Sequence, residues 1–77
     1  MRAEGWVTEE LELEGWPVTV TSYRIASSFL TEVESGCSGS ILARGIGSTR
    51  EESRREAFET ASRRLLHSRF SDLTVGG

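Results

Sequence analysis

The residue types best placed to do chemistry lie between positions 44 and 55: Arg44-Gly45-Ile46-Gly47-Ser48-Thr49-Arg50, then Arg54 and Arg55. Two glycines just before a helical pattern leave unpaired backbone N–H groups at a helix N-terminus, where the macrodipole favours an anion. Arg50 and Arg54 stand four residues apart, hence on one helix face, beside that turn. Guanidiniums spaced this way, with Arg44 and Arg55 near them, suit phosphates along a nucleic-acid backbone. The stretch is not a P-loop, which needs Gly-Lys-Ser/Thr, nor a dinucleotide fingerprint, since Arg50 occupies the third glycine's place. The competing reading is a tight strand-to-helix turn with a good cap, its arginines offset by Glu51, Glu52 and Glu56. From Thr49 to Leu66 five Arg meet four Glu, so charge alone does not choose.

Other chemistry falls away on residue count. Cys37, the single cysteine, forms no internal disulfide and with the lone His67 makes no zinc site. A thiol or serine nucleophile needs a base and an orienting group, which only His67 and Asp72 offer. A chain of 77 residues also has little room for a catalytic pocket. The sequence predicts no catalysis, no metal and no cofactor. Of the two tryptophans, Trp16 is expected in the core, while Trp6 is open between core and protein interface, where Trp is enriched.

These candidates need elements to position them. The period-2 pattern of Val18, Val20, then Tyr23 and Ile25 predicts a strand. Its phase slips after Val20, which predicts a bulge or turn near Thr21-Ser22. Phe29–Val33 reads as a second strand, Ser35–Gly39 as a turn and Ser40–Arg44 as a third strand. Residues 6–14 read as an edge strand or a short helix, with the strand preferred. From Thr49 to about His67 the period becomes helical, with Ala57, Phe58, Ala61, Leu65 and Leu66 on one stripe. Ser48 or Thr49 caps it, each with a glutamate three positions on, and Glu51–Arg55 and Glu59–Arg63 are i,i+4 pairs. The expected fold is α+β in the order β-β-β-α: a small three-stranded antiparallel sheet, with a fourth N-terminal strand if residues 6–14 join it, and one helix on one face. Residues 1–70 form the single domain and 71–77 a flexible tail.

Composition bounds the rest. All nine basic residues are arginine, and no lysine, asparagine or glutamine occurs. The net charge of −3 splits into −5 over residues 1–34 (two Arg, seven Glu) and +2 over 35–77 (seven Arg, four Glu, one Asp). The average therefore excludes little about nucleic acid. No apolar run approaches the roughly 18 residues of a membrane span. The first residues lack a secretory h-region, so the lone thiol points to a reducing cytoplasm. A core this small supplies only about 3–5 kcal/mol without a staple. Self-association through the sheet's exposed face or edge is therefore expected.

Residues 41–66, Ile41 to Leu66, resemble the C-terminal half of a double-stranded RNA-binding domain, in which a strand leads through G-x-G-x-S-K-K-x-A-K into an alanine-rich helix. Gly45 and Gly47 match the glycines, Thr49 the serine, Arg50 the first lysine, Ser53 the alanine and Arg54 the last lysine. The resemblance implies weak binding of double-stranded RNA through Gly45–Arg55, with Glu51 in place of the middle lysine. The stretch Gly47–Ser53 is also similar to the G-x-T-x-E-E-A turn of HicB-type antitoxin domains, where Glu51-Glu52 fits. That resemblance implies a small oligomeric protein-interaction module that does not itself bind nucleic acid. The sequence thus predicts a binding module, with RNA, a second copy of the chain or a protein partner as ligand.

Overall fold

The computed structural model describes residues 3–75, with side-chain surroundings for residues 4–67. Strands β1 (Ala3–Leu13), β2 (Trp16–Ile25), β3 (Ser28–Ser35) and β4 (Ile41–Gly47) form one antiparallel sheet in chain order, followed by helix α1 (Arg50–Val75). The N-terminal segment is therefore the fourth strand. Glu14-Gly15 closes the first hairpin and Ala26-Ser27 the second, with Glu14 and Ala26 both at positive φ (53° and 57°). Among the described residues no helix is long and apolar enough to cross a membrane.

Alternation along the strands separates two faces. Val18, Val20 and Ser22 of β2 stand opposite Ser35, Val33 and Thr31 of β3, and Val33 and Thr31 face Ala43 and Gly45 of β4. All eight are buried, because α1 lies over β4 and β3 and reaches β2. The core consists of Val18, Val20, Val33, Ala43, Ala57 and Ala61, with Leu11, Leu13, Leu42 and Phe58 packed at its margin. Each buried valine contributes about 1.5–3 kcal/mol and each alanine less, so this core is thin.

Small residues let the helix come close. A Cβ added to Gly45 would sit 2.2 Å from the Ser53 carbonyl oxygen and 2.6 Å from the Ala57 nitrogen. One at Gly47 would sit 2.6 Å from the Glu52 Cβ. Both glycines therefore belong to β4 itself, which the sequence reading ended at Arg44, and they seat the helix backbone against the strand.

Between sheet and helix runs a buried chain of hydroxyls. Ser53 Oγ donates to the Arg50 carbonyl at 3.0 Å. Its single proton is then committed, so it accepts from Thr31 Oγ1 at 2.7 Å, and Thr31 in turn accepts from Ser22 Oγ at 2.8 Å. Ser22 explains why no bulge occurs at Thr21-Ser22. The inward phase of β2 is unbroken; a hydroxyl, not an apolar side chain, fills the third inward place, and Tyr23 faces the other way. The register does shift in β1, where Gly5 (φ 65°) and Trp6 together oppose Tyr23.

Three further expectations are corrected. Trp16 is 44% exposed, its ring nitrogen 3.5 Å from Ser35 Oγ, and lies outside the core. The helix continues past His67 to Val75, since nothing from Ser68 to Val75 is glycine or proline. Gly76 and Gly77 lie outside the described residues. Neither Glu51–Arg55 nor Glu59–Arg63 forms an ion pair; those among the described residues tie separate elements together, Arg24 to Glu4, Arg44 to Glu32 and Arg54 to Glu9.

Candidate functional site

The eight residues expected to meet an anion occupy one end of β4 and the first turns of α1, but most are already engaged. Thr49 caps the helix, its Oγ1 accepting from the Glu52 N–H at 3.1 Å. Glu52 reaches back to accept from the Ser48 backbone N–H (3.0 Å) and hydroxyl (2.8 Å). These Ser48 bonds hold the Glu52 carboxyl below its ordinary pKa. The chain's own carboxylate thus meets donors that an external anion would use.

The arginines turn inward in the same way. Arg50 donates from Nη2 to the Gly5 carbonyl of β1 at 2.7 Å, and its guanidinium lies 5.4 Å from the centre of the Phe29 ring. Its Nε is buried with no hydrogen-bond partner. That leaves the cation resting against the aromatic face, an arrangement favourable to a guanidinium. Arg54 pairs with Glu9 of β1 and lies 5.1 Å from the Phe58 ring centre. Both side chains clasp the helix to β1. Arg44 stands on the opposite face of the sheet, its Nε 3.1 Å from Glu32 Oε2. Arg55 is exposed and has no ion pair among the described residues. The structure therefore brings Gly45, Gly47, Ser48, Thr49, Arg50 and Arg54 together as the seat of the helix, and separates Arg44 from them.

Cys37 is exposed in the β3–β4 turn, its backbone N–H 3.3 Å from Ser35 Oγ. His67 lies on the far part of α1, beside an open groove of about 470 Å3 lined by Ile41, Leu42, Arg63, Arg64 and Leu65. The side chain of Asp72 lies outside the described residues. Among the described residues no three of His, Cys, Asp and Glu are grouped to hold a metal ion.

The larger feature is one the sequence reading did not assemble. On the sheet face away from α1, Trp6, Tyr23, Leu30 and Ile46 form a row across all four strands, with Tyr23 opposite Leu30 and Leu30 opposite Ile46. The Trp6 and Tyr23 rings stack with centroids 4.1 Å apart and planes 23° from parallel. Trp6 is 59% exposed and Ile46 57%. Two residues along the strands comes a polar row, Thr8, Thr21, Glu32 and Arg44. Here Glu32 accepts from Arg44 and, at 3.3 Å, from the Tyr23 hydroxyl. Partial burial, then the Glu32 charge, raises the Tyr23 pKa above its ordinary 10.0. The third row holds Glu10, Thr19 and Glu34, with Glu12 beyond it on β1; on β4 the register shifts and Ile41, 42% exposed, pairs with Glu34. No ion pair among the described residues involves Glu10, Glu12 or Glu34. The signal that could have found this face was the position of Ile46 between two glycines, where a large apolar side chain has no neighbour on its own strand to cover it.

Comparison with models of protein families, with curated proteins and with solved structures finds no match.

Proposed function

We propose that this chain is a non-enzymatic protein-binding module whose docking surface is the open face of its sheet. The observation that carries this reading is the row Trp6–Tyr23–Leu30–Ile46, large apolar side chains set side by side on a face that no element among the described residues covers. Scattered exposed apolar residues are ordinary, but a contiguous patch led by tryptophan and tyrosine is the composition of interaction sites. The reading agrees with what the HicB-type resemblance implies. Weak RNA binding is the less favoured reading, because Arg50 and Arg54 would have to leave Gly5, Glu9 and two aromatic rings to reach phosphates.

The test selects displayed random peptides against the folded chain, with a duplex RNA of about 16 bp titrated in parallel at low salt. Selected peptides are expected to lose at least tenfold in affinity on Trp6→Ser and on Ile46→Thr, and the RNA to leave the chain unsaturated. RNA binding that weakens with salt and disappears on Arg50→Glu plus Arg54→Glu would overturn this reading. So would peptides indifferent to both open-face substitutions.

A further inference from the structure

The open face is not uniformly apolar, and its asymmetry bears on what it takes. The apolar row lies at one end and the carboxylates Glu10, Glu34 and Glu12 at the other, with the Glu32–Arg44 pair between. Four residues along β2, from Tyr23 to Thr19, separate the first row from the third. At roughly 3.3 Å per residue the two ends lie about 13 Å apart. Three carboxylates with no ion pair among the described residues set a negative potential beside an apolar strip.

We propose that the occupant of this face is a basic amphipathic segment of a partner protein. It sets aromatic or aliphatic side chains on Trp6, Tyr23, Leu30 and Ile46, and carries Lys or Arg about 13 Å away against Glu10, Glu34 and Glu12. On a helix that separation is about nine residues at 1.5 Å rise. This rests on reading the open face as a docking surface.

Charge and area exclude the nearer alternatives. A second copy laid face to face stacks its apolar row only if the two acidic ends point away from each other. The contact is then four side chains, of which Tyr23 and Leu30 are already half-buried. That falls short of the about 800 Å2 per partner of a stable interface. Overlaying the whole faces instead sets carboxylates against carboxylates, or against the other copy's apolar row. A phosphate backbone meets the same carboxylates and is repelled.

The experiment uses the full chain carrying Trp16→Phe, so that Trp6 alone reports by fluorescence, and three synthetic helical peptides without tryptophan. The first carries Leu and Phe anchors with three arginines about nine residues further on. The second replaces the arginines by glutamate, and the third keeps the composition but moves the arginines beside the anchors. The first peptide is expected to bind at least tenfold more tightly than either other. Its affinity should fall as salt rises, and Glu10→Arg with Glu34→Arg should reverse the preference between arginine and glutamate peptides. Read by calorimetry, because Trp6→Ser removes the fluorescent reporter, Trp6→Ser and Ile46→Thr, on opposite edge strands, should each remove binding, so a folding defect in one leaves the other informative.

Equal or tighter binding of the glutamate peptide, still lost on Ile46→Thr, overturns the basic partner and leaves the docking surface standing. Failure of all three peptides to bind or to perturb Trp6 overturns both. Concentration-dependent dimerisation in sedimentation, abolished by Trp6→Ser, assigns the face to a second copy and overturns the proposal. A shift of Trp6 emission by duplex RNA, reversed by salt, does the same in favour of nucleic acid.

Discussion

The two faces of one four-stranded sheet are built from opposite materials. The face under the helix carries Ser22, Thr31, Ser35, Ala43 and Gly45 beside three valines, and the open face carries Trp6, Tyr23, Leu30 and Ile46. Ordinarily the larger apolar side chains would be the covered ones. The reason for the inversion is distance. A helix backbone that comes to contact distance of β4 leaves no room for anything beyond glycine and alanine on that strand. The inner face is built for closeness, and the outer one carries the large side chains that the inner one has no room for.

The largest effect should come from violating that closeness. Gly45→Val places a side chain where the Ser53 carbonyl already lies 2.2 Å from the Cβ position. The helix must lift from β4, and the cost should exceed about 3 kcal/mol. In a domain whose core supplies about 3–5 kcal/mol the cooperative thermal transition should be lost. A well-folded Gly45→Val variant by circular dichroism would break the account of the covered face.

Next comes the hydroxyl chain. Thr31→Val leaves the Ser22 hydroxyl without an acceptor and Ser53 Oγ without the donor it now accepts from, buried in both cases. Stranding buried polar groups costs about 1–3 kcal/mol each, so denaturant unfolding should show a loss of about 2–4 kcal/mol. The triple variant Ser22→Ala, Thr31→Val, Ser53→Ala removes every group left stranded and should recover most of it. Failure to recover would mean that packing, and not hydrogen bonding, holds this layer.

These same residues mark where the sequence was legible. The valine alternation of β2, the turn at Ser35–Gly39 and the capped helix follow from local period and turn chemistry, and the structure has them. The open face did not follow, because period-2 reading takes the apolar residue as the inward one. At Ser22-Tyr23 that assigns a phase slip where the chain has none. Trp16 was misplaced by the same assumption about large aromatics. For the candidate site, spacing narrows the cap to Ser48 or Thr49, and the structure has Thr49. The partners of Arg50 and Arg54 were not, since Gly5 and Glu9 lie 45 positions away along the chain and only the register of β1 brings them near.

The open face should behave oppositely to the covered one. Trp6→Ser removes one cross-strand aromatic pair, worth about 1 kcal/mol or less. Ile46→Thr removes a side chain that is 57% exposed, and should cost less still. Thermal unfolding of both variants should therefore stay cooperative, with midpoints a few degrees below that of the parent chain. A loss above about 2 kcal/mol for either would make the row part of the fold's own support and blur the contrast between the faces.

The smallest effect sits where the two accounts of the helix N-terminus meet. Bonds from the Ser48 hydroxyl and N–H stabilise ionised Glu52, so its folded pKa lies below the ordinary 4.5. A carboxyl with a depressed folded pKa contributes stability that is fully present above its unfolded value and is lost as pH falls through the folded one. An NMR titration should give Glu52 a midpoint below the ordinary 4.5, and Ser48→Ala should move it upward. Should Glu52 titrate ordinarily and ignore Ser48→Ala, the amides at the start of α1 would be open to a foreign anion. The arginine-flanked turn would then regain the claim to phosphate that its sequence first suggested, and the contrast between an engaged helix end and an open sheet face would no longer hold.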